Sequence, residues 1–142
     1  MELKNYKEEK PHFYKRVLWT IINHTIFRCL CHWRLYLLKN SLLRLFGAKL
    51  PNHTNIYSSC TIYAPWNLTM GLHSTIGPNT IIYNKVPITI GSNVTISQYS
   101  HLCSASHDIT TINHALICSP ITICDKVWIA ADAFIGPGVT IG

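Results

Sequence analysis

The sequence predicts a mainly β protein, a parallel β-helix preceded by a helical segment. Three observations predict it. Isoleucine or leucine recurs every sixth residue, in the runs Ile56–Ile62–Leu68, Ile76–Ile82–Ile88, Ile90–Ile96–Leu102 and Ile123–Ile129–Ile135–Ile141. A period of six fits neither a helix at 3.6 nor a lone strand at 2. It fits a chain that turns a corner every six residues and points one aliphatic side chain per face into a shared interior. Gly77 and Gly91 follow aliphatic positions, and Asn79 and Asn93, each two residues past a glycine, suit left-handed backbone at corners. Charge is scarce in the repeat: of twelve Lys and Arg, only Lys85 and Lys126 lie beyond residue 50.

In chain order, residues 1–12 read as a flexible lead. Residues 13–46 read as helix, because Leu18, Ile21, Ile22, Thr25, Ile26 and Cys29, and then Leu35, Leu38, Leu42, Leu45 and Phe46, fall at spacings of three and four. Asn40 and Ser41 suit a break between two helices, and Gly47 suits the stop. Two roles for this segment stay open. It caps the open end of the column, or its basic, Trp19-, Phe27- and Trp33-containing surface contacts a membrane through residues 13–46. Residues 1–50 therefore form one expected unit and residues 51–142 the repeat.

The hexad frame slips between runs. Leu68 to Ile76 spans eight residues, which places a two-residue insertion at Gly71–Ser74, and Ile88 to Ile90 spans two. The largest interruption follows Leu102. The chain is expected to leave the column near His107 and to rejoin at Ile121. A long excursion from a compact repeat is often functional.

Several classes are excluded. The six cysteines form no Cys-x-x-Cys pair and no metal is expected; they read as buried, reduced thiols of a cytoplasmic protein, with Cys118 and Cys124 at equivalent corners. The start is polar for too long to be a cleavable signal, and the apolar stretch 17–30 is interrupted by Asn23, His24 and Arg28. The positive charge sits on amphipathic helices without a recognised motif, so no nucleic acid is expected. No Gly-x-Ser-x-Gly elbow is present.

The strings TIGPNTIIYN, ITIGSNVTISQYSHLC, SASHD and VWIAADAFIGPGVTIG resemble hexapeptide-repeat acyltransferases. The similarity is strongest to sugar and polysaccharide O-acetyltransferases of the colanic acid biosynthesis type. LLRLFGAKL at 42–50 and Tyr63-Ala64-Pro65-Trp66 belong to that resemblance. It implies a left-handed β-helix, a homotrimer, and acetyl-CoA as a co-substrate lying between neighbouring columns, with no permanently bound cofactor. It implies further coils beyond Gly142, so the repeat reads as truncated at its C-terminus. The implied reaction is acetyl transfer to a sugar hydroxyl of a surface polysaccharide or its lipid-linked precursor, in the cytoplasm or at the inner membrane. A non-catalytic scaffold, or the same fold acting on an amine, remain alternatives.

The chemistry needs a base for the hydroxyl proton, and histidine, titrating near ~6.5, suits it at neutral pH. His107 in Ser106-His107-Asp108 matches the family's catalytic histidine. Trp128 matches a tryptophan beside the acyl and pantetheine channel, and Ala130 and Ala131 match small residues under pantetheine. Tyr83 or Asn84 lies near an acceptor-contacting position. His114, in the excursion, is a further candidate for contact with the acceptor, and His101, beside Leu102, for the lining of the site. Ser104 and Ser106 are candidate oxyanion donors. Cys103, four residues before His107, fits a coil position better than a nucleophile.

Overall fold

A computed structural model describes residues 12–142. The flexible lead expected before His12 lies outside these, as does the side chain of Trp33. The repeat forms three parallel sheets that the chain visits in rotation. The first holds β1 (Asn55–Ile56), β4 (Thr75–Ile76), β7 (Thr95–Ile96) and β12 (Trp128–Ile129). The second holds β2 (Thr61–Ile62), β5 (Ile81–Tyr83), β8 (His101–Cys103) and β13 (Phe134–Ile135). The third holds β3 (Leu68–Met70), β6 (Ile88–Ile90), β11 (Ile121–Ile123) and β14 (Thr140–Ile141).

The aliphatic hexads stack in register down the interior. Ile56, Ile76, Ile96 and Ile129 are successive partners on the first face. Ile62, Ile82, Leu102 and Ile135 are partners on the second. All but Ile135 in these two stacks are buried. Removing such a side chain from water contributes about 1.5–3 kcal/mol, so the stacks are the chief source of cohesion.

The frame slips have a different cause from the one the spacing suggests. On the third face a three-residue strand sends both ends inward, as Leu68 with Met70, Ile88 with Ile90, and Ile121 with Ile123. Alternation of side chains across a strand makes positions i and i+2 share a face. The two extra residues therefore belong to the strand, not to Gly71–Ser74. They also make Met70 a core residue, which the hexad count missed. The corners carry left-handed backbone at Asn79 and Asn93, as expected, and also at the stacked positions His73, Tyr99, Lys126 and Asp132. Gly91 is required by approach rather than by φ: an added Cβ would meet the Asp125 backbone nitrogen at 2.7 Å and the Cys124 carbonyl carbon at 2.8 Å.

The helical segment comprises α1 (Phe13–His24), α2 (Ile26–Cys29), a 3-10 turn at Trp33–Leu35 and α3 (Tyr36–Leu45). The breaks fall at Thr25 and at residues 30–32, not at Asn40-Ser41. Asn40 is buried inside α3, and its amide donates to the Thr54 carbonyl at 2.9 Å and to Thr54 Oγ1 at 3.1 Å. Packing overrode the capping preference that suggested a break. Gly47 (φ 99°) ends α3, its N–H reaching the Arg44 carbonyl at 2.8 Å.

These helices finish the open edge of the column, which would otherwise present unpaired backbone groups. Asn23 bridges β2, donating to the Cys60 carbonyl and accepting from the Ile62 N–H. Trp19 Nε1 donates to the Ile62 carbonyl at 2.6 Å. Lys39 Nζ donates to the Ile56 carbonyl at 2.8 Å, and burial pushes its ammonium below the usual lysine range. Lys49 pairs with Thr69 on the third edge. Trp19 and Phe27 are fully buried, so neither belongs to a membrane-facing surface. No helix among the described residues is long and apolar enough to cross a membrane.

The cysteines are free, and only Cys60 is fully buried; burial pushes its thiol up to about 12. Cys118 lies in the excursion and Cys124 is exposed after β11, so they are not equivalent corners.

Candidate active site

The excursion is an antiparallel hairpin. β9 (Ala105–His107) pairs with β10 (Leu116–Cys118), with His107 opposite Leu116. Its base is closed by the Ser119 N–H on the Ser104 carbonyl at 3.0 Å, and the chain rejoins the column at Ile121. At its tip the Asp108 N–H reaches the Ala115 carbonyl at 2.8 Å.

Asp108 builds the turn rather than a charge pair with His107. Its Oδ1 accepts from Thr110 N–H at 2.9 Å and from Thr110 Oγ1 at 2.6 Å. The Thr110 hydroxyl, then the Thr110 amide, hold this carboxyl below the usual carboxylate range. The turn delivers His114 in left-handed backbone (φ 43°). From there its carbonyl oxygen lies 2.7 Å from His107 Nδ1. A carbonyl can only accept, so His107 Nδ1 carries the proton and Nε2 presents a lone pair. The ring is exposed, on an ordered strand, with its basic nitrogen free of that bond.

The remaining candidates separate. Tyr83, half-buried, packs its ring tilted against Tyr63 at 4.7 Å between ring centroids and lies beside Cys103 in the next coil. Burial raises its phenol above the usual tyrosine range. Asn84 is fully buried, with Oδ1 accepting from the Ala64 N–H and Nδ2 donating to the Ala64 carbonyl. Its amide is spent inside the corner and cannot meet an acceptor, which corrects that assignment. His114 contributes through its backbone, in addition to an exposed ring. Ser104 is fully buried, donating to the Tyr83 carbonyl and accepting from the Val86 N–H, so it is no oxyanion donor. Ser106 is exposed on β9. Cys103 Sγ lies 3.1 Å from the Ala105 carbonyl, as a coil residue. His101 packs edge-on against Phe134, and burial pushes its imidazole down.

Trp128 lies on the first face, 74% exposed, its indole N–H on Ser97 Oγ at 2.9 Å. Ala130 and Ala131 follow it, both exposed. The hairpin springs from the end of the second face. Trp128 thus lies on the first face, and His107 on the hairpin that leaves the second.

A feature the sequence reading missed adjoins Tyr83. A cleft of about 250 Å³ is lined by His12, Arg16, Tyr63, Trp66, Lys85 and Asn67, among others. Its rim is tied to the hairpin base by the Val86 N–H on Ser104 Oγ. The available signal was the spacing of Tyr63 and Tyr83, twenty apart like Ile62 and Ile82.

No family model matches the chain. It is 41% identical over 129 residues to the putative colanic acid biosynthesis acetyltransferase WcaF of Escherichia coli, covering 88% of this chain and 68% of that protein. The chain belongs to the hexapeptide-repeat acetyltransferases. It is also 36% identical over 92 residues to the galactoside O-acetyltransferase of Escherichia coli, covering 63% of this chain and 39% of that protein. A hexapeptide-repeat-containing acetyltransferase from Vibrio cholerae superposes with a TM-score of 0.79 at 24% identity, over 94% of this chain and 76% of that one. The fold of this acetyltransferase is the left-handed parallel β-helix that the resemblance implied.

The turn carries a testable consequence for the acetyltransferase. Asp108→Ala removes both Thr110 bonds and frees the His114 carbonyl from its position. With His107 as the expected base, acetyl transfer should fall about tenfold through kcat, the cost of displacing such a group; steady-state thiol release checks it. The carboxyl titrates near ~3.9 when unfolded and lower when folded. Its contribution to the turn is therefore complete above about pH 4 and is lost as pH falls through the lowered value. An acid-side activity loss at higher pH cannot come from Asp108.

Proposed function

We propose that this acetyltransferase moves an acetyl group from acetyl-CoA to a sugar hydroxyl of a bacterial surface polysaccharide or its lipid-linked precursor, with His107 as general base. The observation that carries this is the His107 Nδ1 to His114 carbonyl contact, which leaves Nε2 basic on an exposed, rigid strand. The acceptor oxygen attacks the thioester carbonyl carbon as its proton passes to Nε2. The tetrahedral intermediate then expels the thiolate, breaking the C–S bond, and Nε2 returns the proton to sulfur. The curated relatives' names support a glycan acceptor.

The working unit is a homotrimer. Trp128 and Phe134 are large, exposed aromatics on the first and second faces, the kind of surface that pairs. Trp128 and the hairpin meet only if the hairpin of one protomer reaches the first face of the next. Acetyl-CoA then lies between columns, with Trp128, Ala130 and Ala131 under the pantetheine arm and Tyr83 and the His114 ring toward the acceptor. Trp128→Ala is expected to raise the KM for acetyl-CoA about tenfold, roughly 1.4 kcal/mol.

The free cysteines support a reducing, cytoplasmic site of action. Contact with the inner membrane uses α1, where Phe13, Tyr14, Val17, Leu18 and Ile21 form one exposed apolar arc opposite the buried Trp19 and Asn23. Cosedimentation with anionic vesicles, lost in Leu18→Asp with Ile21→Asp, tests that contact. The acetyl-transfer reading is tested by thiol release from acetyl-CoA across a panel of glycosides; no release with any glycan acceptor contradicts it.

A further inference from the structure

We infer that the cleft beside the hairpin base recognises a negatively charged group on the acceptor, a sugar carboxylate or a sugar phosphate. The inference rests on the acetyl-transfer reading for placing a glycan there, and adds the charge class of that glycan. The cleft lies between the start of α1 and the corner joining the second face to the third. Arg16, Lys85 and His12 line it, and no carboxylate does so among the described residues. The Lys15 ammonium sits 4.8 Å from the Trp66 ring centroid, which brings a further cation to its wall.

Arg16 is half-buried, and among the described residues its hydrogen bond goes to the Tyr63 hydroxyl. A guanidinium carries five N–H donors in a planar fork. One donor on a phenol fixes the group's orientation and leaves a fork suited to two oxygens of an anion. The Tyr63 and Trp66 rings supply apolar surface for the carbon face of a sugar ring, and Asn67 Nδ2 is held away by the Asn84 and Lys85 carbonyls. Cations on low-dielectric walls favour an anion and disfavour a neutral ring that cannot repay their desolvation. The position fits the reaction. Tyr83 lies against Tyr63 on one side and Cys103 on the other, one coil before the strand carrying His107. A group bound in this cleft would hold a sugar beside the hairpin base.

The test is direct binding, which needs no turnover. Methyl β-D-glucuronide, glucose 1-phosphate and methyl β-D-glucoside are titrated calorimetrically into the full chain, and into Lys85→Glu and Arg16→Gln with folding checked by circular dichroism. At least one anion is expected to bind about tenfold or more tighter than the glucoside, with the gap narrowing as salt rises. The gap should close in Lys85→Glu and shrink in Arg16→Gln. Tighter binding of glucuronide alone assigns a carboxylate, and of glucose 1-phosphate alone a phosphate. A glucoside bound as tightly as both anions, or an anion preference unchanged in both variants, overturns the inference. Thiol release is read on the same compounds: its absence alongside an intact anion preference counts against acetyl transfer and leaves the charge recognition standing.

Discussion

Replacing His107 with alanine is expected to lower acetyl transfer about 10²–10⁴-fold, the usual contribution of a positioned general base. The loss should appear in kcat, with little change in the affinity for acetyl-CoA, because the ring bonds to a backbone carbonyl within its own hairpin. The variant should fold normally, since the side chain is exposed. The expectation is specific to position 107. Burial pushes the His101 imidazole down and the ring packs on Phe134, and its removal should cost far less. An unchanged rate in His107→Ala, measured as thiol release under saturating acetyl-CoA, would remove the assignment.

Trp19→Ala is expected to give the largest loss of stability, about 3–5 kcal/mol. The indole is fully buried, touches Phe27 and Phe46, and donates to the Ile62 carbonyl. Deletion leaves a cavity and an orphaned carbonyl at the edge of the column. In a chain of this size each kcal/mol shifts the midpoint by roughly 3 °C, so a drop of about 10 °C or more is expected in thermal melts. The division into residues 1–50 and 51–142 is tested by the same experiment. A single shifted transition means helices and column fold as one unit, which their shared core supports. An early, separate transition means the helical segment is an independent unit.

The column was legible because its signal is redundant. Four hexad runs report the same interior, and only the third face obscured the count, where Leu68 with Met70 and Ile88 with Ile90 place two residues inside per strand. The excursion after Leu102 was legible as the longest break in the hexads, and the resemblance pointed to His107; the chain leaves the column at Ser104, earlier than the expected point near His107, so His107 lies on the hairpin itself. The bond that sets its tautomer was not legible. It depends on a left-handed residue seven positions later, placed by an Asp108–Thr110 turn that no periodicity marks. The fate of Asn84 was equally hidden, since an asparagine at a corner looks the same whether its amide faces a ligand or the Ala64 backbone. The helix break moved from Asn40 to Thr25 because Asn40 is committed to Thr54, a contact fourteen residues away. The cleft of Arg16, Tyr63 and Lys85 joins three distant segments, and only the stacking of coils brings them together.

The central claim is that the column delivers the imidazole of residue 107 to a thioester. A crystal structure of the protein with coenzyme A tests it most directly. The account predicts the thiol sulfur between two columns, about 3–4 Å from His107 Nε2, with Trp128 of the adjoining protomer along the pantetheine arm. Coenzyme A bound away from the hairpin, or a ring of His107 turned from every cleft between protomers, would contradict it.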